Sequence, residues 1–134
     1  MKITDNTLFL EDIPVETLMQ EYGSPLYVYE ESVLRSQFRQ LSSGFPEGLL
    51  EIHYAMKANS NPSLLKILCE EGSSIDAVSE FEVRLALESG FEPQQIIFTG
   101  NNNSITEIEF CVGNDVPVNL GSLASLEKYG ERYP

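Results

Sequence analysis

Lys57 stands in the run Ile52-His53-Tyr54-Ala55-Met56-Lys57-Ala58-Asn59, which passes from β-forming residues into a polar turn that closes on Asn61-Pro62. A lysine just past the carboxyl end of a strand lies where parallel α/β folds collect their catalytic groups. Counting by twos places His53, Ala55 and Lys57 on one strand face, provided the extended geometry runs that far. On the inner face of a barrel, partial desolvation would favour the neutral amine, the form that attacks a carbonyl carbon. By spacing alone, a solvated lysine in a strand–helix loop is the simpler description.

Two carboxylates follow at suggestive positions. Asp76 sits near the end of the next expected strand, where a parallel pairing would bring it close to Lys57 and let its charge stabilise an ammonium. Glu82 closes Ser79-Glu80-Phe81-Glu82, which has the form of a capping box. A helix cap and a supporting charge are both open readings for it. His53 is the single histidine and fits a hydrogen-bonded interior residue better than a catalytic one. The loop Gly100-Asn101-Asn102-Asn103-Ser104 reads as a turn followed by a second capping box, Ser104-Ile105-Thr106-Glu107. Tyr27 and Tyr29 alternate with Leu26 and Val28 and suit strand packing. Cys69 and Cys111 are far apart, each in an apolar helical stretch and in no metal-ligand spacing, so they read as buried thiols and no metal site is expected.

The elements that must hold these residues alternate regularly. A segment over residues 1–31 is expected to contain a helix from Pro14 to Tyr22, ended by Gly23, and a strand over Leu26–Tyr29. Ser32 is expected to cap a helix that ends in the turn cluster 42–46. Strands follow over 49–55, 74–78, 96–99 and 116–120. Each leads into a helix: 61–71 ended by Gly72, one opened by Ser79 and closed by Gly90, 104–112, and one opened by Ser122 and stopped near Gly130. Four successive βα units over 32–134 fit a doubly wound sheet or half of an eight-fold barrel, and composition does not separate the two.

The bulk numbers exclude more than they assign. Forty-two per cent apolar content over 134 residues suits an ordinary globular chain. A net charge of −13 argues against a nucleic-acid partner, whose phosphates need Lys and Arg. No apolar run has the length of a membrane span, and Met1-Lys2-Ile3-Thr4 opens no secretory leader, so a cytoplasmic chain with no membrane partner is the expectation.

Ordered blocks then sharpen the reading. Tyr22-Gly23-Ser24-Pro25-Leu26-Tyr27-Val28-Tyr29 resembles the Tyr-Gly-Thr-Pro-Leu-Tyr-Val-Tyr signature of diaminopimelate decarboxylases, and Tyr54-Ala55-Met56-Lys57-Ala58-Asn59 resembles their Tyr-Ala-Val-Lys-Ala-Asn. Asp76-Ala77-Val78-Ser79 with Glu82, Ile96-Ile97-Phe98-Thr99-Gly100-Asn101, and Val118-Asn119-Leu120-Gly121-Ser122 follow at matching separations. The likeness runs from about Leu18 onward. It implies the first part of an alanine-racemase-like (β/α)8 barrel, with Lys57 binding pyridoxal 5′-phosphate as a Schiff base and Asp76 and Glu82 as supporting cofactor-binding residues. It also implies decarboxylation of meso-2,6-diaminopimelate to L-lysine, in lysine biosynthesis, by a homodimeric parent enzyme. Sister decarboxylases of ornithine, arginine or carboxynorspermidine, and a non-catalytic pyridoxal-phosphate binder, remain alternatives.

Two departures stand out. Many relatives have Ser-Gly-Gly-Glu where this chain has Ser79-Glu80-Phe81-Glu82, and many have histidine at the position of Thr99. The rest of the family's site is not found in these residues: a glycine-rich phosphate turn, an acidic partner for the pyridine nitrogen, and groups for the substrate's distal carboxylate. Gly121-Ser122 is at most a weak anion site. The expectation is therefore a fragment of a protein roughly three times as long, inactive alone.

Overall fold

The computed structural model describes all residues, Met1–Pro134, as two compact units, Met1–Gln37 and Phe38–Pro134. The first opens with an antiparallel meander of β1 (Lys2–Thr4), β2 (Thr7–Leu10) and β3 (Ile13–Pro14). Asp5 and Asn6, with φ of 50° and 61°, form the two-residue turn between β1 and β2. Both central residues at positive φ match the twist of the flanking strands, and Asp and Asn tolerate that conformation. The hydropathy pattern misses this meander because its strands are short and mostly exposed.

Helix α1 (Val15–Tyr22) follows Pro14, and Gly23 (φ 83°) returns its N–H to the Met19 carbonyl. The expected strand over Leu26–Tyr29 does not form, since these residues have no ladder partner and Tyr27 is 88% exposed. Helix α2 (Glu31–Ser43) begins one residue before Ser32. The Glu30 carbonyl accepts from Val33 and Leu34, which puts Ser32 inside the first turn; it is not the cap.

The second unit is built on a parallel sheet, β4 (His53–Ala55), β5 (Ser74–Ala77) and β6 (Ile96–Phe98), in the order of the chain. The register pairs Ala55 with Asp76 and Asp76 with Ile97. Beyond β6 the expected fourth strand is reduced to one parallel bridge between Phe98 and Val118, flanked by hydrogen bonds from Phe98 to Pro117 and from Asn119 to Phe98. Strand β4 is likewise shorter than 49–55, with Leu49 and Leu50 exposed. Four positions in unbroken order favour a barrel wall, because a doubly wound sheet reverses after its third strand.

Helices α3 (Pro62–Glu70), α4 (Glu80–Glu88), α5 (Ile105–Gly113) and α6 (Leu123–Arg132) alternate with these strands, α4 packing on α5 and α5 on α6. Asn61, Ser79, Ser104 and Ser122 cap them, each side chain accepting from the backbone N–H two or three residues on. Gly130 does not stop α6, which runs on to Arg132; a lone glycine lowers helix stability by only about 1 kcal/mol. No helix is long and apolar enough to cross a membrane.

The core gathers Ile75, Ala77, Ile96 and Phe98 from the sheet and Leu65, Leu68, Val83, Ala86, Ile108 and Cys111 from the helices. As expected of a central parallel strand, β5 is buried along its length except for the half-buried Asp76. Cys111 is fully buried, and loss of solvent, aided by Glu80 and Glu107, pushes its thiol up from 9.0 to about 11. The folded state thus keeps a proton that the unfolded chain releases, so stability holds below about pH 9 and falls as pH rises toward 11. In Cys111→Ala that part of the alkaline decline should disappear from denaturation midpoints measured across the same range.

Candidate active site

Lys57 does not lie on the strand face. The chain leaves β4 at Ala55, and Met56–Ala58 form a single 3-10 turn. The extended geometry ends there: Met56 is buried at 1% exposure, and Lys57 is exposed. Burying the apolar thioether, worth about 1.5–3 kcal/mol, fixes which way the turn faces. The interior desolvation expected for Lys57 is therefore not supplied by these residues.

The turn after the lysine is tied down by polar side chains. The Tyr54 hydroxyl donates to the Asn59 carbonyl at 3.0 Å. Asn59 Oδ1 accepts from the Asn61 N–H, and Asn61 Oδ1 from the Ser63 N–H, both at 2.9 Å. Tyr54 and Asn59 thus position the lysine turn, roles that strand counting did not assign. His53 is exposed at the opposite, amino end of β4, where Nε2 lies 3.2 Å from Glu51 Oε1 and Nδ1 lies 3.5 Å from the Ile75 carbonyl. It sits at the end of the sheet concerned with stability, away from the Lys57 turn.

Asp76 is brought beside Ala55, two residues before Lys57, by the β4–β5 register. Its Oδ1 accepts from the Thr99 hydroxyl. Glu82 uses Oε2 to accept the Val78 N–H at 2.7 Å, while its own N–H donates to Ser79 Oγ at 3.2 Å. This is a displaced capping box, in which the carboxylate reaches past the cap to the residue before it. Glu80 and Phe81, in place of two glycines, do not prevent α4 from starting at the Ser79 cap.

The loops after β5 and β6 touch. The Thr99 N–H donates to the Ala77 carbonyl at 2.8 Å. A Cβ at Gly100 would lie 2.7 Å from the Val78 carbonyl oxygen, so only glycine allows this approach. Ser104 and Glu107 complete the expected capping box of α5. Ser122 Oγ is likewise occupied with the Ser125 N–H as the cap of α6. No group of three or more His, Cys, Asp or Glu side chains is arranged to hold a metal ion.

A parallel sheet whose strands pair in the order of the chain, with Lys57 just past its first strand and Asp76 on its second, has the arrangement of a barrel wall. The chain belongs to the pyridoxal-dependent decarboxylases, whose pyridoxal-binding domain matches residues 31–134. It is 41% identical over 119 residues to the diaminopimelate decarboxylase of Methanothermobacter thermautotrophicus, covering 87% of this chain and 28% of that protein. A crystal structure from Aquifex aeolicus superposes with a TM-score of 0.90 at 34% identity, over 97% of this chain and 32% of that one. The diaminopimelate decarboxylase of Helicobacter pylori, solved with L-lysine, gives 0.79 at 32% identity, over 88% and 31%. The chain thus spans about a third or less of these proteins' lengths, and its fold is the first part of the alanine-racemase-like (β/α)8 barrel.

Removing the Glu82 carboxylate leaves the Val78 N–H without its charged acceptor. Glu82→Ala should lower stability by about 1.5–3 kcal/mol, and Glu82→Gln, which keeps an oxygen in place, should recover most of it in urea denaturation.

Proposed function

We propose that Lys57 is the covalent attachment point for pyridoxal phosphate, and that the protein to which this chain belongs decarboxylates meso-2,6-diaminopimelate to L-lysine. One observation carries this reading. The Lys57 turn closes the carboxyl end of the first parallel strand, whose last residue, Ala55, pairs with Asp76 on the second. The residues fit the cofactor: an exposed primary amine on an anchored turn is open to an aldehyde, and no metal-type donor set competes for the place. The identity to diaminopimelate decarboxylases over most of the chain supports the substrate.

Each residue then has a task. Lys57 Nζ holds the cofactor by a bond that a substrate amine can displace, and the freed amine holds a proton near the reacting carbon. Asp76 steadies that amine as an ammonium whenever it is released. Glu82 acts through Val78, fixing the chain that leads out of β5. When bound, the cofactor supplies an electron sink that lets the substrate carboxylate leave as carbon dioxide. A small amino acid as the only partner besides the cofactor, a homodimeric whole protein and a cytoplasmic location complete the proposal.

Incubation with pyridoxal phosphate, borohydride reduction and peptide mass analysis should place the label on Lys57, and Lys57→Ala should abolish it. A label spread equally over Lys2, Lys66 and Lys128 would overturn the assignment. With the whole protein, faster release of carbon dioxide from ornithine or arginine than from diaminopimelate would replace the substrate.

A further inference from the structure

Tyr54 carries a hydroxyl that strand β4 does not need. Its backbone is already paired with Ile75 of β5, and a phenyl ring would fill the same half-buried space. What the hydroxyl adds is a donor, which reaches across the following turn to the Asn59 carbonyl at 3.0 Å. That bond closes the chain from Tyr54 to Asn59 into a ring, and Lys57 lies inside it. Buried Met56 seats the turn just before the lysine; the hydroxyl fixes the chain just after it. The hold is then carried on into helix α3. Asn59 Oδ1 accepts from the Asn61 N–H, and Asn61 caps α3 through the Ser63 N–H. The two asparagines thus tie the turn to a helix start, and Tyr54 ties it to the sheet.

We propose that Tyr54 is a positioning residue: its hydroxyl, bonded to the Asn59 carbonyl, holds the turn in the form in which Lys57 takes up pyridoxal phosphate. This rests on the attachment at Lys57 given above. Tyr54 acts through the backbone of the turn and needs no contact with the cofactor. A turn ordered beforehand spares the binding step the cost of ordering it.

The test uses the whole protein and Tyr54→Phe, which keeps the ring and removes only the donor. The first measurement needs no cofactor. Trypsin cuts after Lys57 inside the turn and after Arg84 inside helix α4, so the second cut reports the fold as a whole. In Tyr54→Phe the cut after Lys57 should quicken about three- to tenfold relative to the cut after Arg84, the factor for one lost hydrogen bond. The second measurement takes pyridoxal phosphate as the probe. The concentration at which borohydride fixes half of Lys57 should rise by a similar factor, with labelling of Lys66 and Lys128 in the same molecules unchanged. If both cuts quicken together, or neither does, the hydroxyl does not hold the turn and the proposal is overturned. If the turn loosens but the half-labelling concentration stays, the positioning role falls and the attachment at Lys57 stands. If Lys57 of the unaltered protein labels no more readily than Lys66 and Lys128, the attachment itself fails and the positioning role goes with it.

Discussion

The register of the parallel sheet is the constraint on which the candidate site depends. Ala55, Asp76 and Ile97 lie side by side because three short strands pair in the order of the chain. A slip of one residue would turn Asp76 into the core and bring a buried apolar side chain to its place. The slip is resisted by packing: Ile75 and Ala77, on either side of Asp76, are wholly buried, as are Ile96 and Phe98 in the next strand. The apolar residues that stabilise the sheet therefore also set where the one carboxylate of β5 emerges.

The same division of labour recurs at the ends of the strands. Met56 is buried so that Lys57 is not, and Tyr54 and Asn59 close the turn behind it. At the end of β5, Glu82 holds Val78 and Thr99 holds Asp76, and Gly100 lets the two loops meet without a side chain between them. Three consecutive strand ends are thus fixed by neighbouring side chains, as a site that must present groups in a set geometry requires.

Much of this was legible in the residues. The alternation of strands and helices follows from apolar runs punctuated by capping residues, and Asn61, Ser79, Ser104 and Ser122 all cap as their types suggest. Such features are local, so a single sequence exposes them. The errors came where a local signal is decided by partners elsewhere in the chain. Leu26–Tyr29 has strand-forming residues but no strand beside it. Strand β4 ends at Ala55, so the extended geometry on which counting by twos relies stops short of Lys57. Asp76 and Lys57 were found as candidates by position. The bond from Thr99 to Asp76 joins residues 23 apart, and only the folded register reveals it. The Asp5-Asn6 turn joins strands that hydropathy does not mark, because they are short and mostly exposed.

The anchored turn beneath Lys57 has a kinetic meaning. Its backbone is pinned by a core methionine below and by asparagine and tyrosine bonds beyond, while the side chain above is a flexible four-carbon arm. With a carbonyl group attached at Lys57 as proposed, an amine so tethered would stay within the same small volume when displaced. Its recapture of that group would be intramolecular, at an effective concentration far above that of any free amine in solution. Release and return would then cost only side-chain rotations, with the backbone of the turn held still.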